Sequence, residues 1–163
     1  MARIFSFLKE HDKAVSEAEK AVSLAPNSAY AYNALAFVLE FAGRHEEAIS
    51  FFKKCLRLSP IPIDATTLGL PGLAYAHLGQ YEEAVATERK ALQLYGADHF
   101  LAHLVLTGTY ALMGREKEAH AEAAEVMRID PKFSVESYAR NFPFKDRKVV
   151  DDIVSASHKA GLK

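Results

Sequence analysis

His99 and His103 lie four residues apart with Asp98 beside them, the spacing at which two imidazoles share one face of a helix and could begin a metal site. Two histidines do not close such a site. His103 also stands where another stretch of the chain has Tyr32 as a packing residue, so neither metal nor catalytic use is expected of the pair. An enzyme assembled from His99, His103 and Asp98 is the weaker alternative, to be judged by whether stoichiometric zinc binds. The single thiol, Cys55, falls on the apolar side of a helical pattern while Lys53, Lys54 and Arg57 point away from it, which reads as a small core residue and not as an activated thiolate. Asp151 and Asp152 are adjacent, so on a helix they diverge and make a poor acid–base pair. The chain contains no GxxxxGK followed by Ser or Thr, no HExxH, no CxxC and no GxSxG. We therefore expect no enzyme, no cofactor and no metal.

The elements that carry these residues announce themselves by repetition. A glycine closes an apolar helix, an alanine follows five residues later, and a breaker comes twelve after that: Gly43, Ala48 and Pro60; Gly79, Ala84 and Gly96; Gly114, Ala119 and Pro131. A first, incomplete copy has Ala14 and Pro26 in step but Lys9 at the glycine place. The glycines suit the left-handed conformation that ends a helix, the alanines let two helices approach closely, and the prolines end one helix and open the next. Between the markers, apolar residues recur every three or four positions, as in Tyr32, Leu35 and Leu39 and then Ile49, Phe52, Cys55 and Leu56. Paired helices at a period of 36 and 35 residues imply stacked hairpins. Pro60, Pro62 and Pro71 crowd the start of the third copy, where the first helix is expected to be kinked or to begin near Pro71.

As a set in register these positions resemble the tetratricopeptide repeats, whose pattern is an aromatic, Leu, Gly and Tyr on the first helix, then Ala, Phe and a closing Pro. The second copy matches best, with Tyr32, Leu35, Ala36, Leu39, Gly43, Ala48, Phe52 and Pro60. The chain departs from the pattern in having no Trp, in Ala36 and Thr107 where a Gly is usual, and in Glu88 in the slot held by Phe52. The resemblance implies an all-α solenoid of helical hairpins wound as a right-handed superhelix. Its parts would be a partial repeat at 1–26, repeats at 27–60, 61–96 and 97–131, and a C-terminal helical extension at 132–163. It further implies a concave groove lined by the first helix of each pair: Tyr30, Asn33, Phe37, Glu40 and Phe41; then Thr66, Gly69, Leu73, Ala76 and His77; then Leu101, Leu104, Gly108, Ala111 and Leu112. Family members that hold a peptide's terminal carboxylate use Lys, Arg and Asn there. Only Asn33 is present, so no carboxylate clamp is expected.

A formal net charge of -1 argues against attraction of the whole chain to nucleic acid or to an anionic membrane. No stretch reaches the roughly 20 apolar residues of a membrane span, and the start is too short for a signal peptide, so a cytoplasmic location is expected. From Lys132 onward seven Lys or Arg face four Asp or Glu, an excess of three that reads as a solvated helix. In the tail, Ser134 and Asp146 can cap two helices, and Val149, Val150, Ile153 and Val154 give the second an apolar stripe that is expected to pack on the last repeat or partly fill the groove, with an outside helix or second subunit as the competing occupant. Phe5, Phe7 and Leu8 imply an N-terminal edge covered by a self-partner or by upstream sequence, and a homodimer would form there or through the C-terminal helix. The tail also resembles the segment that follows tetratricopeptide repeats in bacterial proteins with an adenylate-cyclase-type or DNA-binding domain upstream. The functional expectation is a scaffold that binds a protein or peptide in its groove. The alternative is a regulatory or oligomerisation module separated from such a bacterial cyclase or transcription regulator.

Overall fold

Each turn between paired helices is built around one glycine in the left-handed region: Gly43 at φ 79°, Gly79 at 72° and Gly114 at 72°. The N–H of the next residue reaches back to close the preceding helix, Arg44 to the Leu39 carbonyl, Gln80 to Tyr75 and Arg115 to Tyr110, each at 2.9 Å. This is the bonding of a Schellman cap, and it re-aims the chain antiparallel within three residues. Lys9 fills the same place in the first copy and adopts φ 61° in spite of its Cβ. The turn imposes the conformation, and the side chain tolerates it at an energetic cost.

The computed structural model describes residues 1–3, 9–61 and 66–162, with backbone alone at 66, 68, 147–150 and 153. Within these residues lie α1 (His11–Leu24), α2 (Ala29–Phe41), α3 (His45–Leu58), α4 (Thr66–His77), α5 (Tyr81–Tyr95), α6 (Phe100–Leu112), α7 (Glu116–Ile129), α8 (Val135–Asn141) and α9 (Arg147–Lys159). No strand occurs among the described residues. The N-terminal edge of Phe5, Phe7 and Leu8, and the side chains of Val149, Val150 and Ile153, lie outside them.

The three hairpins α2–α3, α4–α5 and α6–α7 stack in order, with α1 packed on α2 and α9 laid against α6 and α8. Ala14, Ala48, Ala84 and Ala119 are all buried, at the crossings the repeat pattern assigns to them. The second helix of each complete pair begins without a side-chain cap, but acidic residues occupy its first turn, Glu46 and Glu47, Glu82 and Glu83, Glu116 and Glu118, where they complement the helix dipole. Helices α2 and α8 are capped by Ser28 and Ser134, whose hydroxyls each accept a backbone N–H at 3.3 Å. Of the two expectations for the third copy, a helix start near Pro71 does not hold: α4 begins at Thr66 and carries Pro71 inside it. Pro71 supplies no N–H to the Thr67 carbonyl four residues back, and the helix continues because its apolar face, Leu70, Leu73 and Ala74, is buried.

The tail belongs to the core. Ala139 and Phe144 join the cluster formed by α1 to α4, while Ala160 and Leu162 join the one between α6 and α7.

Candidate binding groove

First helices of the pairs, α2, α4 and α6, form the inner wall, and the chain's own extended segment 142–146 crosses it. Phe41 of α2 is the floor: its ring lies 4.9 Å from that of Phe37, 5.6 Å from Phe142 and 4.8 Å from Phe144. Tyr138 stacks on Phe142 at 4.0 Å and extends the aromatic row to α8. One backbone bond fixes the register, from Lys145 N–H to the Phe41 carbonyl at 2.9 Å. Pro143 is itself buried and holds the segment extended between the two phenylalanines.

Beyond Phe144 the described residues leave part of the groove unfilled. A cavity of about 150 Å³ remains, walled by Leu73, Leu101, Leu104, Leu112, Tyr138 and Phe144, with His77, Tyr81, Thr109 and Asp152 as its polar groups. Burial holds the Tyr138 hydroxyl in its neutral form by raising its pKa.

Where α2 turns into α3, Glu40 is 0% exposed. Its Oε2 accepts from His45 Nδ1 at 2.9 Å and its Oε1 from His77 Nδ1 at 2.8 Å. Burial pushes this carboxyl up, but the two imidazole hydrogen bonds outweigh it and hold Glu40 below its usual range. For His45 burial pulls the pKa down, and the hydrogen bond it donates to Glu40 together with the negative charge of that carboxylate more than reverses this. The edge of Phe144 faces His77 with ring centroids 5.8 Å apart.

Of the residues assigned to the groove from sequence, Leu73, His77, Leu101 and Leu104 meet around the cavity, Phe41 lies under the tail segment, Phe37 packs on Phe41 with the Arg3 guanidinium over its ring, and Glu40 joins His77. Asn33 is buried, whereas Tyr30 is 69% exposed and neither lines the cavity. The Thr66 side chain lies outside the described residues. His45, Tyr138, Phe142 and Phe144 were not expected there. A signal for the first did exist: the repeat puts Ala76 and Ala111 at the place of Glu40, so an acid there departs from the pattern and needs a partner nearby.

Asp98, His99 and His103 do not converge. His103 Nδ1 bonds Glu122 Oε2 at 2.6 Å and its Nε2 bonds the Ala97 carbonyl at 2.9 Å, so both nitrogens face acceptors and the bond to Glu122 raises its pKa first of all. His99 caps α6 by accepting from Ala102 N–H at 3.0 Å, and Asp98 pairs with Arg128 at 2.7 Å. Cys55 is a buried free thiol.

An array of glycine-turned helical hairpins with an inner groove defines a scaffold for protein interaction. Residues 1–28, 29–62 and 66–98 match the tetratricopeptide repeat family, and the chain belongs to it. The hairpin of α6 and α7 continues the same Gly and Ala pattern beyond the matched residues. Among solved structures the chain resembles MamA, at 20% identity and a TM-score of 0.70 over 98% of this chain and 92% of that one. It also resembles PilW, a type IV pilus biogenesis factor, at 22% and 0.75 over 98% and 71%. A third is YrrB, described as a TPR protein with an unusual peptide-binding site, at 21% and 0.63 over 98% and 80%. At these identities the likeness is one of fold. No curated protein matches the sequence. No helix among the described residues is long and apolar enough to cross a membrane.

Proposed function

We propose that this array is a non-enzymatic scaffold that receives an extended peptide bearing aromatic side chains in its concave groove, and that segment 142–146 occupies that site until a partner displaces it. One observation carries the reading: the groove already holds a peptide, with Phe144 against Phe41 and a backbone bond at Phe41 fixing its position. The resident segment is an incomplete occupant. The cavity of about 150 Å³ beside Phe144 has room for one further aromatic ring against its leucine walls. A better-fitting segment would therefore gain contacts the tail does not make. The near-zero net charge, -1, and the apolar lining favour a polypeptide over nucleic acid as the occupant. That YrrB is described as having a peptide-binding site is consistent with such a role.

The test uses the segment itself as probe. A labelled synthetic peptide spanning residues 140–147, RNFPFKDR, is titrated into the intact chain and into the Phe144→Ala variant, with helix content checked by circular dichroism. Saturable binding to the variant, weaker binding to the unaltered chain, and none to a Phe41→Ala, Phe144→Ala double variant are expected. Equal binding to all three, or none to the folded Phe144→Ala chain, rejects the groove as a peptide site.

A further inference from the structure

Glu40, His45 and His77 come from three successive helices, α2, α3 and α4, and each presents a ligand atom within 4.8 Å of the other two. Both imidazoles aim the same nitrogen, Nδ1, at opposite oxygens of one carboxylate, at 2.9 and 2.8 Å. Their rings are 4.7 Å apart at 53°. We propose that this cluster is a divalent transition-metal site, with zinc the best fit, in which the cation sits between the carboxylate and the two Nδ1 atoms.

The fold does not require the cluster. At the place of Glu40 the next two copies carry Ala76 and Ala111, at that of His45 they carry Tyr81 and Glu116, and His77 stands where the neighbouring copies have Phe41 and Leu112. Alanine completes the same turn twice without a buried charge. A carboxylate in the core is costly unless paired or coordinating a metal, so three polar substitutions converging at one point call for an explanation outside the solenoid pattern.

The donor set defines the ligand class. Two imidazoles and one carboxylate suit borderline cations such as zinc, and three protein ligands leave one position for water or a further oxygen donor. Phe144, Lys145 and Asp146 border Glu40 and His45 on the tail side. In the metal-free cluster each Nδ1 is a donor to Glu40. Coordination through Nδ1 requires that its proton move to Nε2 of the same ring, or leave if the ring is charged, so no other reactant is needed. A bound ion would tie α2, α3 and α4 together across the boundary between two repeats, next to the ring that plugs the groove.

No other group of three His, Cys, Asp or Glu meets this spacing among the described residues. His103 has both nitrogens engaged, and His158 pairs with Glu136 at an exposed site. His158 therefore supplies the control.

Zinc chloride is titrated calorimetrically into the chelator-treated full chain, and cobalt(II) is added separately for its visible spectrum. One saturable ion per chain is expected, with a rise in melting temperature and cobalt bands of a low-coordinate nitrogen–oxygen site. His45→Ala and His77→Ala should each weaken binding by at least about 100-fold, and His158→Ala should leave it unchanged. His45 is on the outer side of the cluster, so its variant leaves Glu40 bonded to His77 and serves if the other does not fold. Absence of saturable binding to the unaltered chain overturns the proposal. So does binding that survives both substitutions or disappears with His158→Ala.

Discussion

Two glutamates, Glu40 in the hairpin α2–α3 and Glu88 in the hairpin α4–α5, are buried to the same 0% exposure, yet the molecule treats them in opposite ways. Glu40 is flanked by two imidazoles and held below its usual pKa in spite of burial. Among the described residues neither oxygen of Glu88 has a hydrogen-bond partner, and burial pushes its carboxyl well above the usual 4.5, which favours the neutral form. Glu88 stands in the slot where the preceding copy has Phe52 and behaves as a hydrophobic filler. Burial alone thus does not decide the charge of a core acid. Donors from neighbouring elements do: His45 of α3 and His77 of α4 reach Glu40, and among the described residues none reaches Glu88.

Taking those donors away should make Glu40 resemble Glu88, and this has the largest expected effect. A His45→Ala, His77→Ala chain should lose about 3–5 kcal/mol at neutral pH in urea unfolding, the scale of a buried charge stripped of its partners. The pH profile gives the sharper check. In the unaltered chain the lowered pKa of Glu40 contributes stability above its ordinary 4.5, lost as pH falls through the folded value. The raised pKa of His45 contributes stability below its ordinary 6.5, lost as pH rises through the folded value. In the variant burial alone acts on Glu40 and raises its pKa, so the deficit should grow as pH rises from acid towards 6.5, above which the unaltered chain gives up the part that His45 contributes. A small deficit independent of pH would break the comparison.

Next in size is the converse, removal of the unpartnered acid. Glu88→Met keeps the volume and removes two oxygens that lack partners, and it should raise stability by about 1–3 kcal/mol at neutral pH. A raised folded pKa means that the stability of the unaltered chain falls as pH climbs from the ordinary 4.5 through the folded value. The gain should therefore be larger in mildly alkaline buffer than in acid, measured by melting curves at each pH. An equal gain at all pH values would mean that Glu88 does not change charge on folding.

Sequence and structure agree where the argument is local. The turn at Gly43 needs a positive φ, and Lys9, an apparent breach of the pattern, takes that conformation too. The alanine crossings and the helical period likewise follow from residues near in sequence. What escaped was non-local. His77 reaches Glu40 across 37 residues, and Phe144 reaches Phe41 across most of the chain, through a segment, Phe142 to Lys145, with no period to reveal its partner. Pro71 left two readings open for a different reason: a proline argues locally for a kink or a helix start, and burial of the α4 apolar face carries the helix past it.

The smallest effect concerns how Glu88 finds room at all. Gly72, inside α4, faces it so closely that a Cβ there would meet the Oε1, Cδ and Cγ atoms of Glu88 before any others. Glycine in a helix interior ordinarily costs about 0.5–1 kcal/mol relative to alanine. In the unaltered chain Gly72→Ala should nevertheless destabilise, because the added methyl collides with a side chain that has nowhere to move in a close-packed interior. With Glu88 first shortened to alanine, the same substitution should change sign and stabilise by about 0.5–1 kcal/mol, the ordinary helix propensity being free to act. The change of sign is a coupling that only direct contact between the two positions produces. If Gly72→Ala destabilises equally in both backgrounds, the crowding at position 72 comes from something other than the acid, and Glu88 does not owe its place to a missing methyl.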